Sequence, residues 1–396
     1  MHHYPTPLRL ALGTALLVAA TGALAVQDCE LDGKSINTNN GNETAGKNGM
    51  VRCKDRDSGQ IEREYELRNG DSVGLSRYFR NGKLVKEFTI TANGPHEGLE
   101  REWAQNGQLV LEFTNVKGNA RGLRRSWYED GSPKAVEWLA DNEREGASAQ
   151  FTQGKQLASL RCGPKPLLAP HVNDAALCGF GGSPSIVATY GSNGKQRATQ
   201  TLLAGVVQKY ALLMDNGKPQ EEMERQGNQR TERFYGDDGS KRREKVWNEA
   251  EKPAVLQRES EYHASGQLVR ERLYGVSEVN GRKRNRLLSE ARFFLNGQPQ
   301  SKERYTLVGE TEQVERQHFN DKGILVAEGR FAMDGRYGQE RGLGVHRSYY
   351  ENGKLSQEET FDDKGNVKRL RSWDENGKQT ADDELFEDGS RKAYSR

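Results

Sequence analysis

Five residues after a recurring glycine the sequence places a carboxylate: Glu87, Glu112, Glu222, Glu244, Glu271, Glu328 and Glu358. Held on one face of a sheet, such a column could gather cations. Three of these glutamates, however, are spaced so that an arginine stands across the intervening bend: Arg101 with Glu112, Arg233 with Glu244, and Arg347 with Glu358. Cross-strand ion pairing is therefore the expected use of the charge. Exposed pairs of this kind contribute under about 1 kcal/mol each. Their greater effect is on register, because a slip of one residue would turn every side chain to the other face.

Residues for bond-making chemistry are scattered. Beyond the leader the histidines are His96, His171, His263, His318 and His346, and none sits in a His-Glu-x-x-His motif or beside a serine or cysteine nucleophile motif. Gly179-Phe-Gly-Gly-Ser-Pro-Ser185 is glycine-rich but lacks the Gly-Lys-Ser/Thr ending of a phosphate loop. Asp362-Asp-Lys-Gly-Asn366 has part of a calcium loop without the closing glutamate, so it reads as a turn. Asn42-Glu-Thr44 matches a glycosylation sequon by pattern only. No catalytic residue, cofactor site or metal site is nominated, and the chain is read as a non-enzyme. The four cysteines, Cys29, Cys53, Cys162 and Cys178, have no Cys-x-x-Cys spacing, so disulfides are expected. Local pairing, Cys29 with Cys53 and Cys162 with Cys178, is the simplest of three possible connectivities.

The elements that would position these residues are hairpins. Arg347-Ser-Tyr-Tyr-Glu-Asn-Gly-Lys-Leu-Ser-Gln-Glu358 aligns with Arg77-Tyr-Phe-Arg-Asn-Gly-Lys-Leu-Val-Lys-Glu87 and with Arg101-Glu-Trp-Ala-Gln-Asn-Gly-Gln-Leu-Val-Leu-Glu112. Asn-Gly or Asp-Gly favours a two-residue type I′ turn, and the aromatic and branched flanks favour strands. Two-residue loops would set Phe79 opposite Leu84, Ala104 opposite Leu109, Tyr128 opposite Pro133, Phe294 opposite Pro299 and Tyr350 opposite Leu355. Tyr78, Trp103, Trp127 and Tyr349 should then face the glutamate side. Aromatics beside arginine are common anchors at protein interfaces, so these four are the candidate partner-binding residues.

Turn glycines recur at steps of 25 and 24 residues (Gly82, Gly107, Gly131) and of 22 and 27 (Gly217, Gly239, Gly266), a period in the range of stacked repeats. The expected fold is all-β, with about a dozen tandem hairpins stacked into one or two long, twisted antiparallel sheets. The expected organisation is a signal peptide over 1–25, an N-terminal cap over 26–58, a first array over 59–160, a disulfide-stapled insertion over 161–184 and a second array over 185–396. The leader has an apolar run, Leu10–Ala20, too short to span a bilayer, followed by the small-x-small site Ala23-Leu24-Ala25. Cleavage after Ala25 would deliver the chain to the periplasm. Lys+Arg number 59 and Asp+Glu 57, interspersed along the chain, so no basic stripe points to nucleic acid.

The segments Gly342-Leu-Gly-Val-His-Arg347 and Tyr349-Tyr-Glu-Asn-Gly-Lys-Leu355 resemble the MORN-repeat-variant, antitoxin-type repeat family. Glu97-Gly-Leu-Glu-Arg-Glu-Trp103 and Arg121-Gly-Leu-Arg-Arg-Ser-Trp127 repeat the glycine-containing lead-in. The resemblance implies a hairpin-stacked sheet, a protein-binding or membrane-proximal role and no catalytic residues to carry over. For an exported member it implies a periplasmic scaffold binding a protein partner, as an immunity protein neutralising a secreted lipase-type effector would. The alternative is an envelope-associated structural protein binding lipid, peptidoglycan or carbohydrate.

Overall fold

A computed structural model describes residues 27–396 apart from 93, 141–142, 280–281, 310, 335–338 and 394–396. The leader and its cleavage site lie outside the described residues. The chain forms two compact units, Met1–Glu145 and Gly146–Arg396. Both are built on long antiparallel sheets of hairpin strands, as the turn spacing predicts.

In the first unit the strands run from Gln27–Leu31 to Pro133–Ala140. Gln27–Leu31 sits between Lys34–Ser35 and Gly49–Asp55, and later strands follow in sequence order. Cys29 faces Cys53 across the pairing of Gln27–Leu31 with Gly49–Asp55 and is bonded to it. Around that bond Ile36, Val51, Cys53, Tyr65 and Leu67 form a buried cluster. The polar stretch after Ile36 carries a four-residue helix, Gly41–Thr44, whose N-cap Asn40 accepts from the Asn42 amide.

The second unit contains the strand Leu157–Arg161, the helix Asp174–Leu177 and a seventeen-stranded sheet running from Ser185–Tyr190 to Arg391–Ala393. Its strand order is the sequence order throughout. Cys162 is bonded to Cys178 beside the helix. Instead of a phosphate loop, Gly179 backs onto the hairpin that follows: its carbonyl accepts from the Ala204 amide at 3.0 Å.

The turns depart from the expectation in an instructive way. Asn81-Gly82 is a two-residue turn, with both residues at positive φ (+51° and +73°) and Phe79 opposite Leu84. Most of the other turns have three-residue loops. At Asn352-Gly353 the Tyr350 amide donates to the Lys354 carbonyl (2.8 Å) and the Gly353 amide to the Tyr350 carbonyl (2.9 Å). Only the glycine is left-handed there, at φ +80°, as in a type I turn closed by a glycine bulge. The expected pairs nearest these turns are therefore off by one. Leu109 lies opposite Trp103, Pro133 opposite Trp127, Pro299 opposite Phe293, and Leu355 opposite Tyr349. A second bulge just beyond restores the register, so Arg101 still meets Glu112, Arg233 meets Glu244 and Arg347 meets Glu358.

The turn asparagines serve a purpose other than positive φ. In the Asn352 turn the Oδ1 accepts from the Lys354 amide (2.9 Å), while the Nδ2 donates to the Glu375 carbonyl of the next turn on that rim (3.2 Å). Asn106, Asn216 and Asn296 make the same lateral bond to Glu129, Asp237 and Asp321. Where aspartate replaces asparagine, a serine two residues on donates its hydroxyl to it: Ser132 to Asp130, Ser240 to Asp238, Ser390 to Asp388.

Candidate functional site

The glutamate face is built from rows of directly opposed residues. In the first unit one row reads Glu30, Arg52, Glu64, Arg77, Glu87, Arg101, Glu112, Arg125, one residue from each successive paired strand. Glu112, nearly buried, takes hydrogen bonds from both flanking arginines: Arg101 Nε at 2.8 Å, and Arg125. Burial alone would raise its pKa, but the bonds and charges of those two arginines outweigh burial and hold it below the ordinary value.

The second unit has the same device at both ends of one row. Glu244 lies between Arg233 (3.2 Å) and Arg258 (3.1 Å), and Glu358 between Arg347 (3.0 Å) and Arg371. Between them the row reads Ser260, Glu271, Ala291, Lys302, Gln317, Glu328. The alternation fails there, and a lysine stands five residues after Gly297, where seven other turn glycines are followed by glutamate.

A groove of about 830 Å³ opens over this break. Ser289 and Ala291, Lys302 and Arg304, Glu315 and Gln317, Glu328 and Arg330, and Leu343, Val345 and Arg347 are contributed by five consecutive strands. Cross-strand pairing puts Ser289, Arg304, Glu315, Arg330 and Leu343 in one row beside the interrupted one. Lys302, Arg304, Glu315 and Arg330 are exposed, and among the described residues no ion pair holds any of the four side chains; the Lys302 ammonium lies 5.4 Å from the Phe319 ring centre. Glu328 is engaged: it accepts from the Tyr349 hydroxyl (2.9 Å) and Gln317 (3.3 Å). Val345 is 39% exposed and Leu288, at the groove's other end, 43%.

The four aromatic candidates are not one cluster. Trp103 and Trp127 lie on the glutamate face of the first unit, Trp127 with the Arg125 guanidinium 5.4 Å from its ring centre. Tyr349 lies on the glutamate face of the second unit, beside the groove. Tyr78 is on the opposite face, stacked on Phe88 (5.9 Å) with Arg63 5.3 Å from its ring centre. The cause is loop length: Asn81-Gly82 is one residue shorter than the loops that follow Trp103, Trp127 and Tyr349, and one residue exchanges the faces.

Histidines fill structural niches. His346 is held between Phe331 (4.5 Å) and Phe361 (4.4 Å), with its Nε2 2.7 Å from the Arg330 carbonyl. The lead-in glycines make room for this stack: a Cβ at Gly329 would stand 2.7 Å from the His346 ring, and one at Gly342 2.8 Å from the Phe361 ring. In the same lead-ins Gly74, Gly98, Gly122 and Gly344 all have positive φ. His96 stacks on Phe88 (4.1 Å) and bonds Glu100 (2.9 Å), a buried carboxylate that also binds Lys86 and Asn115. His263 has its Nδ1 3.0 Å from the Ser265 hydroxyl in an exposed turn. The Asp362 carboxylate accepts from the Asn366 and Lys364 amides of its own turn, and the Asn366 bond leads in drawing its pKa down to about 2. Among the described residues no group of three or more His, Cys, Asp or Glu side chains is arranged to hold a metal ion.

Residues 343–363 match the MORN repeat variant, the stretch that carries the Gly344 lead-in, the His346 stack and the Asn352 turn. No curated protein matches the chain. Among solved structures, the Photorhabdus luminescens Tc holotoxin pore is similar at 11% identity over 88% of this chain and 24% of that one, with a TM-score of 0.19. A TcdB2-TccC3-Cdc42 structure is similar at 11% identity over 88% and 20%, with a TM-score of 0.17. This chain spans about a quarter or less of the length of either.

Proposed function

We propose that this protein is an exported MORN-like repeat scaffold that binds a protein partner on the glutamate face of its second unit. The observation that carries the reading is the break in the charge ladder. At the two ends of that row, around Glu244 and Glu358, arginine and glutamate satisfy each other. Between Ser289 and Arg347 the ladder gives way to a groove with exposed aliphatic side chains and charges that, among the described residues, are in no ion pair. Exposed apolar groups beside polar ones, in a concavity of this size, are the composition of recognition sites rather than of inert surface. The leader and the two disulfides favour work in an oxidising compartment, the periplasm.

Within that reading the partner is a secreted antibacterial effector that the scaffold neutralises. Affinity purification of the tagged full chain from periplasm, followed by mass spectrometry, should recover one protein in stoichiometric amount. Deleting the gene should sensitise cells to sister cells that secrete the effector. Recovery of cell-wall or lipid material in place of a protein would support the envelope-structural alternative instead.

A further inference from the structure

Resting on that reading of the groove, we propose that its occupant is an extended peptide segment of the partner whose groove-facing side chains, every second residue, are acidic at the centre and aliphatic at the two ends. The charge balance gives the sign. Lys302, Arg304 and Arg330 are exposed cations without ion pairs, set against one such anion, Glu315. Arg347 and Glu328 are already engaged with neighbours. A ligand completing the ladder must therefore bring carboxylates, the group the repeat itself uses opposite arginine at every intact position.

The apolar groups give the rest. Leu343 and Val345 stand on the strand adjoining Arg330, and Leu288 borders Ser289 at the far side. Aliphatic contacts thus flank the cations at both ends of the groove. Its five strands are separated by four gaps of about 4.8 Å, so it is roughly 19 Å wide, the span of about six extended residues. Arg304 and Arg330 are two strands apart, roughly 10 Å, which matches carboxylates two to four residues apart on one extended chain. An ion or a single headgroup would leave most of that length empty.

The test uses the purified full chain and a fluorescein-labelled seven-residue peptide, Leu-Ser-Glu-Ser-Glu-Ser-Val, whose alternate side chains are aliphatic at the ends and acidic between, read by anisotropy. A counterpart with lysine for glutamate and vesicles of phosphatidylglycerol are run beside it. The acidic peptide should bind and the lysine peptide should not. Arg304→Glu and Arg330→Glu should each weaken binding roughly tenfold or more, and raised salt should weaken it further. Lys322→Glu, at an exposed turn off the groove, should leave it unchanged. Because neither groove arginine is in an ion pair, these variants should fold, which circular dichroism checks. The proposal is overturned if the acidic peptide does not bind, if both peptides bind alike, if the reversals have no effect, or if vesicles bind more tightly with the same arginine dependence. A partner still recovered from periplasm after such a result would leave the protein-binding reading standing and remove only the acidic segment.

Discussion

Glu112 condenses the chemistry of the repeat into one side chain. It is nearly buried, yet it stays charged because Arg101 and Arg125 approach it from two neighbouring strands. Replacing it by alanine leaves both arginines without their shared anion. Glu112→Ala should cost about 1.5–3 kcal/mol in urea unfolding, clearly more than removing Asp28, whose pair with Arg56 is exposed. The pH dependence follows from the direction of the shift. The Glu112 pKa is lower folded than unfolded, so its stabilisation is complete above the unfolded value, near 4.5, and is lost as pH falls through the folded one. Glu244 and Glu290 are displaced the same way, again against burial: Glu244 by Lys241 and Arg233, Glu290 by Arg272 and Arg292. Stability should therefore fall steeply below about pH 4.5, and Glu112→Gln should flatten part of that decline. Equal acid sensitivity in wild type and Glu112→Gln would show that the ladder carries no such weight.

At the scale of the hairpin, the regular unit is a three-residue loop whose asparagine both closes its own turn and ties it to the next. Asn352→Asp keeps the acceptor for the Lys354 amide but loses the donor to the Glu375 carbonyl, and it sets a carboxylate against that oxygen. It should cost about 1 kcal/mol and speed amide exchange in the neighbouring turn around Glu375. Unchanged exchange there would show that the turns do not support one another laterally. Hairpins, strands and local cysteine pairing were legible in the sequence because aromatic flanks, turn glycines and even cysteine spacing are local signals. Loop length was not. Asn81-Gly82 and Asn352-Gly353 look alike in sequence but differ by one residue of loop, which is why Tyr78 lies on the opposite face while Trp103, Trp127 and Tyr349 follow the expectation. The ion pairs survived this error because the bulge beyond each longer loop compensates for it.

At the scale of the whole chain, the repeat's uniformity makes its interruption informative. The glutamate column in the sequence already skips a beat at Lys302, and Ala291 and Gln317 occupy the same row. A groove could not be inferred from that alone, since its walls come from five strands whose register depends on the loops between them. The reading of the second unit as a binding surface is most directly tested by site-specific photocrosslinking in living cells. A photoreactive residue at Val345, in the groove, is compared with one at Val206, an exposed position on another hairpin of the same sheet. The expected result is one discrete crosslinked protein from Val345, lost on Arg330→Glu, and none from Val206. Equal or absent crosslinking at the two positions would contradict the assignment of this groove as the place where a partner binds.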